Sequence, residues 1–211
     1  MIRYLTFYVL CGFLLLQACG SSQKQLTTQT DTSSNGEIEV DGLSRTYIFD
    51  PSSGGKEKKP LLIALHGGFG SGAQVKESYG LDEDARKHGY AIVYPDGISK
   101  RERLKVRTWN AGGCCGYAAE SEVDDVKFIS VLIDTLVAKE NVDPERIFVT
   151  GMSNGAMMAY RLACEIPEKI KAIAPVAGYV LPAESCGSAV PIIHFHSLQD
   201  KNVPFEGRPG D

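Results

Sequence analysis

Histidine is scarce in this 211-residue chain, four in all, and none of the four follows Asp200. Positive charge is not in excess either: 22 Lys and Arg stand against 26 Asp and Glu, a net charge of −4. That balance gives no electrostatic reason to expect a nucleic-acid partner. The one basic run, Ser99 to Arg107, lies between turn-like segments and reads as a solvated loop. No CxxC spacing occurs among the six cysteines, and no histidine lies near Cys114, Cys115, Cys164 or Cys186, so a zinc site is not indicated. The apolar stretch from Leu5 to Leu16 is too short to span a bilayer comfortably. Internal repeats are missing, and so is any sign of a second folded domain.

What is present is a globular composition, 43% hydrophobic and 23% charged, sufficient to bury one core. From Glu37 the chain alternates polar and apolar residues around Asp41-Gly42, as two antiparallel edge strands would. Apolar runs at Pro60–Gly67, "YAIVYPDG", Arg146–Gly151, "KAIAPVAG" and "VPIIHFHS" read as buried strands. Between them, "LDEDARKHG" forms a short helix closed by Gly89, and Glu122–Asn141 forms a longer one. That longer helix presents Val126, Ile129, Ile133, Leu136 and Val137 on one face, with Asp124 and Asp125 in a first turn where the helix dipole favours acids. Another helix begins directly after Ser153. Alternating strands and helices predict an α/β fold with a mostly parallel sheet and helices on both faces.

The chemistry centres on Gly151-Met152-Ser153-Asn154-Gly155. A Gly-x-Ser-x-Gly pattern is weak alone, but here it falls at a strand-to-helix junction, where a sharp turn lifts a serine hydroxyl above the sheet. Ser153 is thus the candidate nucleophile, and the Asn154 N–H at the helix start points at a developing oxyanion. The glycine-rich "LHGGFGSG" supplies a second donor, Gly68, with Phe69 next in order. Asp200, four residues past His196, is the candidate triad acid. Trp109, near Cys114 and Cys115, lines a substrate pocket or sits in the core; both readings stay open.

Taken together, "LHGGFGSG", "YPDG", "TWNAGGCCG…EVDDVKFI", "RIFVTGMSNGAMMAYRLACEIP", "APVAG" and "IIHFHSLQDKNVPFEG" resemble the secreted esterases related to polyhydroxybutyrate depolymerases and feruloyl esterases. The resemblance runs from about Pro60 to Arg208, departing at Ser197, where the family has glycine. It implies an α/β-hydrolase fold, Ser153 as nucleophile, Asp200 as acid, an acyl-enzyme held by the Gly68 and Asn154 amides, and no metal or organic cofactor. The implied substrate is a small or polymeric ester, of plant phenolic acids or hydroxyalkanoates.

The N-terminus reads as targeting sequence: Arg3, the apolar stretch, then "LLQAC", which resembles a bacterial lipobox. Residues 1–18 are then a lipoprotein signal, Cys19 the lipidated residue and membrane anchor, and 19–36 a flexible polar tether. A plain signal peptide is the alternative. The expected hydrolase domain is 37–211, exported to an oxidising compartment. There Cys114, Cys115, Cys164 and Cys186 allow two disulfides; of three connectivities the vicinal one ranks last, because it strains the intervening peptide.

None of the four histidines fits the catalytic base. His66 ends a strand and supports a loop, His88 sits at a helix end on the surface, and His194 and His196 precede the acid. In the resembled family the base follows one further strand. The chain therefore reads as an esterase domain lacking its final strand and helix, and as nearly inactive by itself. A non-catalytic lipid-anchored binding protein and a serine peptidase of the same fold are the other readings.

Overall fold

Odd and even residues of one strand meet different helices, and this alternation organises the core. A computed structural model describes residues 31–51, 57–101, 106–180 and 186–207. Strand β3 (Lys59–Leu65) sends Leu61, Ile63 and Leu65 to one side and Leu62 and Ala64 to the other. On the first side lie helices α4 (Asp125–Lys139) and α5 (Asn154–Glu165), contributing Phe128, Ile129, Leu132, Met158 and Leu162. On the second lie α1 (Gly72–Tyr79) and α2 (Leu81–Lys87), through Val75 and Ala85. A strand covered on both faces needs no polar side, which is why these strands read as continuous apolar runs.

The sheet order is β1-β2-β4-β3-β5-β6. Strands β1 (Ser34–Val40) and β2 (Leu43–Asp50) form the antiparallel hairpin at one edge, turning at Asp41-Gly42, both with positive φ. Strand β2 pairs antiparallel with β4 (Ala91–Pro95); β4, β3, β5 (Val142–Met152) and β6 (Ala172–Val176) are parallel. The ladder begins at Ser34, ahead of the alternating pattern that opens at Glu37, because backbone pairing with Phe49, Ile48 and Tyr47 does not require apolar side chains. Two short elements carried no clear sequence signal: α1, whose N-cap Ser71 accepts from Gln74 N, and α3 (Gly116–Glu120).

The segment expected as the last buried strand differs. Residues 191–195 bond to β6 through Ile193 N to Ile173 O and Phe195 N to Pro175 O, and form only isolated parallel bridges at Ile192 and Phe195. Its apolar side chains are exposed, Ile193 at 59%. Pairing on one side extends a sheet, but burial requires cover on both faces, and no described element provides it. The basic run is also corrected at its ends: Ser99 and Arg107 are buried, and Ile98 bridges Thr108, while residues 102–105 lie outside the described residues.

Cysteine pairing reverses the expected order. Cys164 bonds to Cys186, their Cα atoms 4.4 Å apart, and Cys114 bonds to its neighbour Cys115. The reason is positional: once the end of α5 holds Cys186, Cys114 and Cys115 have only each other among the described cysteines. The predicted signal 1–18 and Cys19 lie outside the described residues. No described helix is long and apolar enough to cross a membrane.

Candidate active site

Ser153 stands between β5 and α5 with φ 54° and ψ −118°. A side chain at positive φ with such a ψ is costly, and it persists only where the surroundings impose it. They do so through close approaches. A Cβ on Gly155 would lie 2.4 Å from His66 O and 2.6 Å from Leu65 O; one on Gly151 would lie 2.6 Å from the Gly155 carbonyl. Glycine at both positions lets β5, α5 and the end of β3 pack this tightly. Ser153 N donates to Val176 O at 2.9 Å, which ties the turn to the end of β6. The serine hydroxyl does not cap the helix that follows.

The loop after β3 lies against this turn. A Cβ on Gly67 would sit 3.7 Å from Ser153 Cβ, and one on Gly68 would sit 3.8 Å from Asn154 Cβ. The Phe69 N–H is spent on Arg107 O at 2.7 Å, which removes it as an oxyanion donor. The N–H groups of Gly68 and Asn154 have no acceptor among the described residues. Two uncommitted amides thus stand beside a strained serine, donors of the type that stabilise a negatively charged oxygen. Phe69 itself, at φ 68°, is 76% exposed beside this loop.

Asp200 reaches the same end of the sheet by another route. Phe195 N donates to Pro175 O of β6, its carbonyl accepts from Ala177 N just past β6, and the chain then turns through Asp200. Asp200 Oδ1 accepts from the N–H groups of Asn202 and Val203, each at 2.9 Å, and so shapes its own loop. Its Oδ2 lies 3.6 Å from His196 Nε2. Ser197, at the departure from the family pattern, accepts from Gln199 N through its hydroxyl.

The histidines are engaged elsewhere. His66 is fully buried against Trp109, its ring centroid 4.9 Å from the indole. Its Nε2 accepts from Gly97 N at 2.9 Å, and its Nδ1 donates to Gly67 O at 2.7 Å. Burial holds its pKa down to about 4, against partial opposition from the Gly67 hydrogen bond and the Asp96 charge. Along the exposed strand, Val203 O can only accept, so His196 Nε2 carries a proton. His196 Nδ1 then accepts from His194 Nε2 at 3.0 Å, and His194 Nδ1 accepts from Tyr160 Oη at 2.6 Å. Burial, then the neighbouring His196, lower the His194 pKa. His88 caps α2 at the surface.

His66 has a consequence for stability. The native imidazole resists protonation down to about pH 4, whereas the unfolded one binds a proton below 6.5. Stability therefore falls as pH drops through that window, by about 3 kcal/mol in total. Urea titrations from pH 7 to pH 4 are expected to show this loss in the wild type and a shallower one in His66→Gln; equal slopes would contradict the assignment.

Trp109 takes the core role of the two the sequence left open. It is fully buried, stacked over Phe128 and donating Nε1 to His66 O at 2.9 Å, so it is not a pocket wall. Two further arrangements escaped sequence reasoning. Asp125 belongs to a buried ion pair with Arg45 (2.6 Å) rather than merely to a helix dipole. Asp96 of "YPDG" accepts from Gly72 N and Thr46 Oγ1, anchoring the start of α1 beside the glycine loop. No group of three or more metal-ligating side chains occurs among the described residues.

Known proteins are similar to this chain in sequence and fold. The family described as "Esterase PHB depolymerase" matches residues 43–204. NocK of Nocardia uniformis subsp. tsuyamanensis, named as an esterase, is 31% identical over 81% of this chain and 49% of its own. Feruloyl esterase B of Piromyces equi is 30% identical over 72% of this chain and 28% of its own. The chain thus spans half or less of the length of these relatives. A solved thermostable esterase superposes with a TM-score of 0.62 at 19% identity, covering 84% of this chain and 49% of that one. At that identity the likeness establishes the fold, an α/β-hydrolase-like sheet with esterase neighbours. The chain belongs to the esterase PHB depolymerase family.

Proposed function

We propose that this chain carries the nucleophile and oxyanion side of a serine carboxylic ester hydrolase. The observation that supports this best is the strained Ser153 backbone flanked by the uncommitted N–H groups of Gly68 and Asn154. In this reading the Ser153 hydroxyl attacks an ester carbonyl, and its proton passes to a base. The two amides stabilise the oxyanion, the alcohol leaves, and water hydrolyses the acyl-enzyme. Asp200 orients and charge-stabilises the base. Because His66, His194 and His196 have both ring nitrogens engaged and His88 lies at a surface helix end, none of the four supplies it. The substrates are esters of phenolic acids or of hydroxyalkanoates, by kinship with the feruloyl esterases and the depolymerase of the family.

A fluorophosphonate probe tests the nucleophile directly. It is expected to label the wild-type chain on Ser153, slowly because none of the four histidines acts as base, and to leave Ser153→Ala unlabelled; labelling that survives the substitution would sink the reading. Hydrolysis of p-nitrophenyl esters by the 211-residue chain is expected to stay near the ~10³–10⁴-fold acceleration that binding and an oxyanion hole provide without a complete triad. Ordinary esterase turnover would overturn the statement about the histidines.

Residues 1–18 are proposed as an export signal and Cys19 as a lipid-carrying membrane anchor, on the strength of the "LLQAC" pattern. Expressed in a bacterium, the wild type should fractionate with membranes and Cys19→Ser should not. A wild type found only in the soluble fraction would contradict the anchor.

A further inference from the structure

The Asn154 side chain is occupied in a way that its backbone role does not require. It is buried at 2% exposure. Its Oδ1 accepts from Trp109 N at 2.7 Å while its Nδ2 donates to Trp109 O at 3.0 Å, so one carboxamide grips both polar groups of one residue's backbone. Trp109 O also accepts from Cys115 N at 3.0 Å. From the same residue, the indole Nε1 reaches His66 O at 2.9 Å. His66 leads directly into Gly67 and Gly68, and Phe69, just past them, donates to Arg107 O on the Trp109 segment. Gly68 then lies back against Asn154, with 3.8 Å between Asn154 Cβ and the place a Cβ on Gly68 would occupy.

These contacts close a circuit: Asn154 side chain, Trp109 backbone, Trp109 indole, His66 carbonyl, Gly68, Asn154. We propose that the Asn154 carboxamide is a positioning group that fixes the Gly68 amide relative to the amide of Asn154 itself, by clamping Trp109. The proposal rests on the serine-esterase reading of the turn. Its physical basis is that two donors serve an oxyanion only when held within about 0.5 Å of their working geometry. A glycine loop does not hold itself so closely, because glycine loses more backbone freedom on ordering than any other residue. A side chain anchored on the same helix start as one donor, and linked through a rigid indole to the other, supplies that constraint. An apolar residue filling the same volume would pack but could not pair with Trp109, leaving that residue's N–H without its present acceptor.

Two substitutions cut the circuit at different points. Asn154→Ala removes the clamp, and Trp109→Phe removes only the indole link to His66 O while keeping an aromatic ring in the core. In ¹H–¹⁵N NMR spectra of the 211-residue chain, both are expected to shift or broaden the Gly68 amide signal, while Gly42 in the β1–β2 turn stays in place. Fluorophosphonate labelling of Ser153 should slow at least tenfold in both, with the concentration dependence of labelling unchanged. A Gly68 signal unmoved by either variant, or wild-type labelling rates in both, overturns the proposal. If Asn154→Ala does not fold, Trp109→Phe decides by the same criteria. A wild type that does not label is what a serine without its base gives, and the Gly68 signal then decides the clamp by itself.

Discussion

Asp125→Ala is expected to cost about 3–5 kcal/mol, a large part of the ~5–15 kcal/mol that holds a domain of this kind folded. The carboxylate and its partner are almost completely enclosed: Arg45 is 2% exposed and Asp125 0%, with 2.6 Å between Nη2 and Oδ1. The guanidinium lies 3.9 Å from the centre of the Phe128 ring and also donates to Asp96 O. On its other oxygen Asp125 accepts from Asn110 N at 2.7 Å. Burial raises the Asp125 pKa, and the Arg45 charge and the Asn110 hydrogen bond hold it back. Deleting the acid therefore leaves a charged guanidinium in a site that water does not reach, and this stranded charge, rather than the lost attraction, sets the size of the effect. Replacing both partners, as Arg45→Met with Asp125→Leu, should cost much less than Asp125→Ala alone. For contrast, Lys169 and Asp134 pair at 2.6 Å with side chains 24% and 67% exposed, and Asp134→Ala should cost under about 1 kcal/mol. Urea unfolding of the three variants beside the wild type checks all of this. Equal losses for Asp125→Ala and Asp134→Ala would be incompatible with the burial argument.

Gly155→Ala should destabilise the domain by about 3 kcal/mol and slow Ser153 labelling more than tenfold. The added methyl would come within 2.4 Å of His66 O and 2.6 Å of Leu65 O, and both are backbone atoms that cannot swing aside. To admit it, the start of α5 must move away from the end of β3. That motion separates the two amides and relaxes the turn that imposes φ 54° on Ser153. Gly42→Ala is the control: its φ is 74° but nothing lies within 4 Å of the new Cβ, so only backbone strain is added and labelling should hold. Mass spectrometry of labelled protein over time, beside urea melts, separates the two effects. Wild-type labelling by Gly155→Ala would mean that the close approach is dispensable.

Much of the site was legible because it is local. The turn at Ser153 is written in five residues, and the helix dipole, strand end and flanking glycines are set by neighbours in the chain. The face of α4 was readable from its period: Val126, Ile129, Ile133 and Leu136 are buried as the spacing requires, and Val137 is half-buried at its margin. The engaged state of His66 followed from its place at the end of a strand. Where reading failed, a long-range choice was involved. "VPIIHFHS" looks buried by composition, yet composition does not say whether a covering layer exists, and Ile193 and Phe195 lie open.

By itself, the sequence determined strands β1 to β6, helices α2, α4 and α5, the serine turn and the glycine loop that faces it. Hydrophobic period and glycine's access to positive φ are properties of short stretches, and they survive in any fold that contains those stretches. Only the tertiary structure decided which distant residues meet. Arg45 and Asp125 are 80 positions apart, and Trp109 and Asn154 are 45 apart. Cys164 is joined to Cys186 rather than to Cys114 or Cys115. Such pairings carry no local signature, because a buried charge or amide is satisfied by whatever the packed sheet and helices bring to it.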